Sequence, residues 1–427
     1  MRITVRTNRG TAALFRLLEA LETRTLMAAA LDSFEKASIT AMTGKGQDGS
    51  GAGPQSLIAA PNGIDFYGTT FTGGPKGFGT VFKITGTEHT LTTVAWFTGK
   101  KDIGFAPTGQ LVVDGAGNLY GITTGGGTNN RGTIWGIAAA DLAATHSSSE
   151  TTSIITTLIN FGGDNGSYPI SGLTVDNAGH LVGTTVGVRV SGGKDKGVVF
   201  EVTPDLDNPA NSSLAVIANF PGDVFVGGQI TVDLSDNTIY GVTRNGGKND
   251  NGTLFRIPPG NGTRPIETLV SFGKSDGKSI GIKPNCQLVL DSGVLYGTTS
   301  QGGNNNAGTV FKYDLSKPDS GSAFTSLVSF NGTNGGRPLG QLILDGSGNL
   351  FGVTAFGGKS GVGTLVQVVN VTGSASTITR LFSFKDKSTG TNPTGQLILN
   401  SGGHFFAATY SGGKNEKGAV VELQPKV

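Results

Sequence analysis

Tyr67-Gly68-Thr69-Thr70, then Gly73-Gly74, then Gly79-Thr80-Val81-Phe82-Lys83-Ile84 make a cassette that runs seven times along the chain. Its copies centre on Gly68, Gly121, Gly183, Gly241, Gly297, Gly352 and Ala407, in steps of 53, 62, 58, 56, 55 and 55 residues. A fixed period of this length in a β-prone sequence predicts repeated supersecondary units packed side by side. In the fifth copy the β-prone runs are Gln287-Leu288-Val289-Leu290-Asp291, Val294 to Thr299, Gly308 to Tyr313 and Thr325 to Phe330, each bounded by turn residues. Four such runs are the content of one propeller blade.

The predicted fold is therefore all-β: a seven-bladed β-propeller with four antiparallel strands per blade. The last copy stops after Gly418-Ala419-Val420-Val421-Glu422-Leu423 without a fourth strand, while Leu31-Asp32-Ser33-Phe34 matches Leu327-Val328-Ser329-Phe330. An N-terminal strand is thus expected to complete the seventh blade and close the ring, which removes open sheet edges. Residues 31–427 are expected to form a single domain.

Composition agrees: 71 glycines in 427 residues and only 15% charged residues suit short strands joined by glycine turns. The glycines do not fall at every third position, which excludes collagen. One cysteine, Cys286, excludes an intramolecular disulfide framework; it stands in the column of Gly109, Gly228, Gly340 and Gly395 and reads as a small buried residue.

The first thirty residues differ from the rest. Arg2, Arg6, Arg9, Arg16 and Arg24 face only Glu19 and Glu22, and the segment ends in Leu26-Met27-Ala28-Ala29-Ala30. Residues 1–30 are expected to be an export leader or a short N-terminal helix. Phe15 to Ala28 resembles the Leu-Glu-x-Arg-x-Leu-Leu leader of exported planctomycete-type bacterial proteins, with Met27 in place of the second leucine. The remainder, 27 basic against 28 acidic residues, is near neutral, which argues against a nucleic-acid partner. No apolar run reaches transmembrane length.

The Tyr-Gly-Thr-Thr, Gly-Gly, Gly-Thr-Val-Phe-x-Ile cassette resembles the GloVer repeat of exported bacterial proteins, over roughly residues 53–427. That resemblance implies a secreted or cell-surface propeller and brings no catalytic residue to transfer. Its relatives usually carry a surface-anchoring or sorting signal; Pro425-Lys426-Val427 is not an apolar anchor.

Repeated residues answer structural demands first. Thr70, Thr123, Thr185, Thr243, Thr299, Thr354 and Thr409 end the second strand, where a hydroxyl can bond the turning backbone. The glycine inside that strand is expected to lie beneath an aromatic of the next strand, such as Phe82 or Phe311. The glycine loops lead into strands rather than helices, which disfavours a phosphate cradle. Asp114 to Asn118 and Asp345 to Asn349 read as hairpin turns, with His180 and His404 as variants of the asparagine. No metal-ligand spacing appears and no cofactor is expected. Gln110, Gln229, Gln287, Gln341 and Gln396 share one position on the innermost strand, either satisfying backbone groups or ringing one mouth of the channel.

Function is expected where the sevenfold pattern breaks, on the face carrying the Gly-Gly loops and the connections between blades. The candidates there are Arg131, Asp164, Tyr168, Arg189, Arg244, Asp250, Asp276, Arg337 and Tyr410, with Glu416 beside them. They suit a monomeric extracellular or cell-surface module that binds a polysaccharide or a protein. The alternative is a polysaccharide-cleaving hydrolase or lyase on the same face, which rests on fold analogy.

Overall fold

A computed structural model describes residues 33–42, 54–86, 89–99, 103–144, 154–186, 197–222, 224–275, 278–318, 321–372, 375–413 and 415–426. The expected leader or helix at 1–30 lies outside them. The described residues are built almost wholly of antiparallel β-strands, and none of their helices is long and apolar enough to cross a membrane.

Each cassette makes one four-stranded meander. In the first the strands are Pro54–Ala59, Phe66–Thr70, Thr80–Thr85 and Thr90–Trp96, hydrogen-bonded in that order. The last meander is Thr391–Leu399, Phe405–Ser411 and Ala419–Pro425, and its fourth strand is Phe34–Ala41 from the other end of the chain. The expected N-terminal closing strand is thus in place.

Its register differs from the one read in the sequence. In six meanders the phenylalanine after the fourth strand donates its amide to the third glycine of the cassette, as Phe97 does to Gly79 (2.9 Å) and Phe330 to Gly308 (3.0 Å). In the seventh that bond runs from Met42 to Gly418 at 3.1 Å, and Phe34 lies eight residues earlier, paired with Pro425. Met42, not Phe34, fills the phenylalanine column; Leu-x-Ser-Phe matched as letters, whereas Ile39-Thr40-Ala41-Met42 matches in position.

Side chains of this column tie neighbouring meanders together. Phe97 packs on Trp135, Phe161 on Phe200, Phe220 on Phe255 and Phe272 on Phe311, with ring centroids 5.3–5.5 Å apart. Phe330 shares a core cluster with Val366, Phe384 with Val421, and Met42 with Phe82. The last of these clusters joins the seventh meander to the first, so the apolar core is a cycle of seven interfaces.

The glycine of the second strand is explained by the same aromatics. A Cβ on Gly68 would lie 2.2 Å from the Phe82 ring, on Gly121 2.4 Å from Trp135, and on Gly297 2.5 Å from Phe311. Where the facing residue is Val421 the chain carries Ala407 instead; Gly352 also faces a valine, Val366, and there a Cβ would meet Leu342 at 2.7 Å.

The innermost strand starts earlier than its sequence suggested. In the fifth meander Ile282–Pro284 and Val289–Asp291 both pair with Val294–Gln301, so Gln287 sits mid-strand in a break of register rather than at the strand's start. The second meander spans the same stretch as one strand, Phe105–Val113, with its register shift between Thr108 and Val112.

Candidate binding site

The face carrying the Gly-Gly loops is assembled from two repeating devices. The first is the threonine that ends the second strand. Its hydroxyl pairs with the first threonine of the third strand at 2.7 Å for Thr70 and Thr80, 2.8 Å for Thr123 and Thr133, and 2.9 Å for Thr299 and Thr309. It also accepts the backbone amide of Thr133, Val198, Thr253, Thr309, Thr364 or Ala419 in the respective meanders. All seven threonines are buried, so they anchor the loops and do not line a ligand site.

The second device was not read from the sequence. Ala106, Tyr168, Lys283, Arg337 and Asn392 each precede a proline and adopt φ of 50–56°. Non-glycine residues rarely hold this conformation unless their surroundings enforce it. Here the enforcement is visible: each amide bonds to a carbonyl of the preceding meander's loop, at 2.8–2.9 Å, from Phe78, Arg131, Asn251, Ala307 and Val362 respectively. The following proline packs against that loop's third glycine, as Pro107 does at Gly79 and Pro338 at Gly308. One fixed backbone thus carries a different side chain in each of these five meanders. The signal available in the sequence was a proline two residues before the Gly/Cys column.

Phe225 stands at the corresponding place in the fourth meander, its amide held by Asn245 Oδ1 at 2.7 Å and its carbonyl by the Arg244 amide at 2.7 Å. Phe225 also lines a cavity of about 270 Å³. Gln110, Gln229, Gln287 and Gln341 share that cavity, so four of the five glutamines converge there; the Gln396 side chain lies outside the described ones. Gln229 donates to the Leu173 carbonyl of the neighbouring meander, a backbone-satisfying role, while its Oε1 and that of Gln287 meet no protein donor. Cys286 lines the same cavity but is buried, with the Thr298 amide 3.2 Å from its sulfur, and burial pushes its thiol up to about 11. It is held as an inert thiol.

The sequence candidates fare differently. Arg337 presents its guanidinium over the Phe356 ring, 5.0 Å from the centroid. Tyr168 and Arg131 are brought together through the Tyr168 amide and the Arg131 carbonyl. Arg244 is half-buried beside Phe225, Asp164 is exposed on the connection between the second and third meanders, and Tyr410 is 52% exposed. Asp250 is a loop cap: its Oδ1 accepts the Gly246 amide at 2.7 Å, as Asn130 accepts Gly126 and Asn306 accepts Gly302. Glu416 has the same positive φ as that column. Arg189 and Asp276 lie outside the described residues.

Exposed aromatics segregate to this face. Among the described residues the exposed large apolar side chains are Phe71, Phe78, Phe225, Phe356, Tyr410, Ile64 and Leu234. Phe71, Phe78 and Phe225 stand on the Gly-Gly loops or the connections between meanders, and Phe356 and Tyr410 at the loop ends of their second strands. The two aliphatics sit in hairpins at the opposite ends of the strands. Phe78 also pairs with Phe105 across two meanders, with centroids 5.8 Å apart.

No curated protein matches the chain in sequence. In structure it is similar to a candidate 6-phosphogluconolactonase of Bacteroides fragilis, at 15% identity over 77% of this chain and 83% of that one, with a TM-score of 0.48. A second such protein, from Bacteroides uniformis, is 12% identical over 83% and 88% of the two chains, with a TM-score of 0.45. TolB of Acinetobacter baumannii is 11% identical over 75% and 80%, with a TM-score of 0.40. A family model matches residues 31–223 and 187–421, which reach into all seven cassettes, and the chain belongs to that family, the Gloeobacter/Verrucomicrobia repeat.

Proposed function

We propose that residues 31–427 form one closed, seven-bladed β-propeller, exported to the cell surface or beyond, that binds a polysaccharide through its loop face. The observation that carries this reading is the segregation of Phe71, Phe78, Phe225, Phe356 and Tyr410 to that face. An exposed aromatic ring offers a flat apolar platform on which the C–H face of a sugar can lie, and it loses little conformational entropy in doing so. Arg337 stands over the Phe356 ring as a hydrogen-bonding group for hydroxyls or acids of the chain, while Lys283 Nζ and Asn392 Nδ2 donate to the Asp250 and Ala355 carbonyls.

The test is retention of the full chain on a panel of immobilised bacterial and algal polysaccharides, with assay of released reducing or unsaturated ends. Retention that falls in Phe356→Ala and Tyr410→Ala but not in Leu234→Ala supports the reading. Retention by none of the panel overturns it and leaves a protein partner; released ends replace it with a hydrolase or lyase. Fractionation of the producing cells tests export.

A further inference from the structure

On the side away from the loop face, the hairpin between first and second strands meets the third strand in the first, third and seventh meanders. The facing pairs include Asp65 with Lys83, His180 with Glu201 and His404 with Glu422, and glutamate occurs in this third-strand column only opposite the two histidines. In the second and sixth meanders the hairpin residue is Asn118 or Asn349, whose Nδ2 donates to Asp114 or Asp345 Oδ2 at 2.9 Å. His180 takes that place and sets Nδ1 3.0 Å from Asp176 Oδ2 and 3.7 Å from Glu201 Oε1.

The two histidine hairpins then diverge. In the seventh meander Asn400 stands where Asp176 would be, and His404 Nδ1 lies 2.7 Å from a single carboxylate oxygen, of Glu422. That is an ordinary paired imidazole. In the third meander one imidazole nitrogen faces two carboxylates, and the single proton it can carry there serves only the nearer. We propose that Asp176, His180 and Glu201 form a binding site for a divalent transition-metal ion, zinc being the first choice.

The ligand atoms of the three residues lie within 4.8 Å of one another, and the separations of 3.0 and 3.7 Å from His180 Nδ1 to the two carboxylates bracket the roughly 3.4 Å between two ligands of one tetrahedral ion at the usual bond lengths of about 2.0–2.2 Å. Two carboxylates and a neutral imidazole balance a charge of +2, and nitrogen with oxygen donors suits zinc better than calcium or magnesium. Asp176 is pre-oriented: its Oδ1 accepts the amides of Ala178 (2.8 Å) and His180 (2.9 Å), leaving Oδ2 toward the site. The three residues line a cavity of about 330 Å³ with room for water as a further ligand. Of the other charged groups lining it, Arg264 donates Nη1 to the Pro258 carbonyl at 3.0 Å, and Asp236 accepts the Thr238 amide at 2.8 Å.

The experiment is equilibrium dialysis of the metal-stripped full chain against zinc, with thermal melting in parallel. The wild type is expected to bind about one zinc in this site and to melt higher with it. His180→Asn, which installs the residue of the sibling hairpins and so keeps a foldable turn, and Glu201→Gln should each lose that equivalent and the zinc-dependent shift. His404→Asn should keep both. Absence of zinc binding in the wild type, or an unchanged stoichiometry in His180→Asn, overturns the proposal.

Discussion

Met42 donates its backbone amide to the Gly418 carbonyl at 3.1 Å, the bond that Phe97 makes to Gly79 and Phe330 to Gly308 in other meanders. With that bond the first described strand becomes the last strand of the seventh meander, and the Met42 side chain enters the cluster of Leu57, Phe66, Phe82, Phe406 and Val420. One residue therefore carries both the strand register and the packing of the seventh interface against the first.

Truncating it should open that interface. Met42→Ala is expected to lower stability by about 2–5 kcal/mol, the usual range for emptying a buried methionine site. Met42→Phe restores the residue of the other six meanders, and Phe161 on Phe200 shows that such an interface accepts two rings. It should cost less than about 1.5 kcal/mol. Chemical denaturation of the two variants decides the matter, and equal losses would mean that the side chain does not close the ring.

The glycine beneath the aromatic makes a second, paired expectation. Gly297→Ala places a Cβ 2.5 Å from Phe311 and 2.9 Å from Leu288, for a loss of about 1–3 kcal/mol. Phe311→Val alone leaves a hole under Phe272 and Phe324, which both pack on that ring. Together the two changes rebuild the Ala407 and Val421 pair of the seventh meander. A double-mutant cycle should show the pair losing less than the sum of the singles, by about 0.5–3 kcal/mol; strict additivity would refute the steric explanation.

How much of this was legible in the sequence depended on what each feature needs. The cassette announced its strands because glycine turns and alternating runs are local. The second-strand glycine was legible because a glycine in mid-strand calls for a side chain lying close above it, the facing aromatic at Gly68, Gly121, Gly183, Gly241 and Gly297 and Leu342 at Gly352. Met42 was missed because the match sought a phenylalanine, while the fold asks only for a large apolar side chain at that register. The displayed residues Ala106, Tyr168, Lys283, Arg337 and Asn392 share no chemistry, so only the prolines after them mark the column. The charge of Asp250 breaks the repeat in the sequence, and only the structure shows that its carboxylate caps the loop as the amide oxygens of Asn130 and Asn306 do. His180 and Glu201 meet only through the register of second and third strands, which spacing along the chain does not reveal.

The buried threonines give a third expectation. Thr299 Oγ1 pairs with Thr309 Oγ1 at 2.9 Å, accepts the Thr309 amide at 3.1 Å and donates to the Gln301 carbonyl at 2.9 Å. Thr299→Val keeps the shape and removes the oxygen, leaving the Thr309 amide and hydroxyl without it. The loss should be about 1–3 kcal/mol, from denatured-state melts, with Thr299→Ser well below it. Equal effects of valine and serine would assign the cost to packing instead.

Acid should loosen the seventh meander where the first described strand joins it. Burial by itself would push the Glu422 carboxyl up. Hydrogen bonds from His404 and Ser38, with the charges of His89 and His404, outweigh burial and hold it below the ordinary glutamate value of 4.5. The contacts reach three ways: Ser38 on the closing strand donates to Glu422 Oε2 at 2.9 Å, His404 lies 2.7 Å from Oε1, and His89 of the first meander lies 3.7 Å from Oε2. Because the folded state favours the carboxylate, its contribution is complete above the unfolded value and is lost as pH falls through the lowered folded one. The stability gap between wild type and Glu422→Gln should therefore narrow as pH falls below about 4.5. Ser38→Ala should shrink the gap at neutral pH, since it removes one of the bonds that depress the carboxyl. Denaturation midpoints of the three proteins from neutral pH downward measure this, and a gap that stays constant through the acid range would show that Glu422 gains nothing from its charged form in the fold.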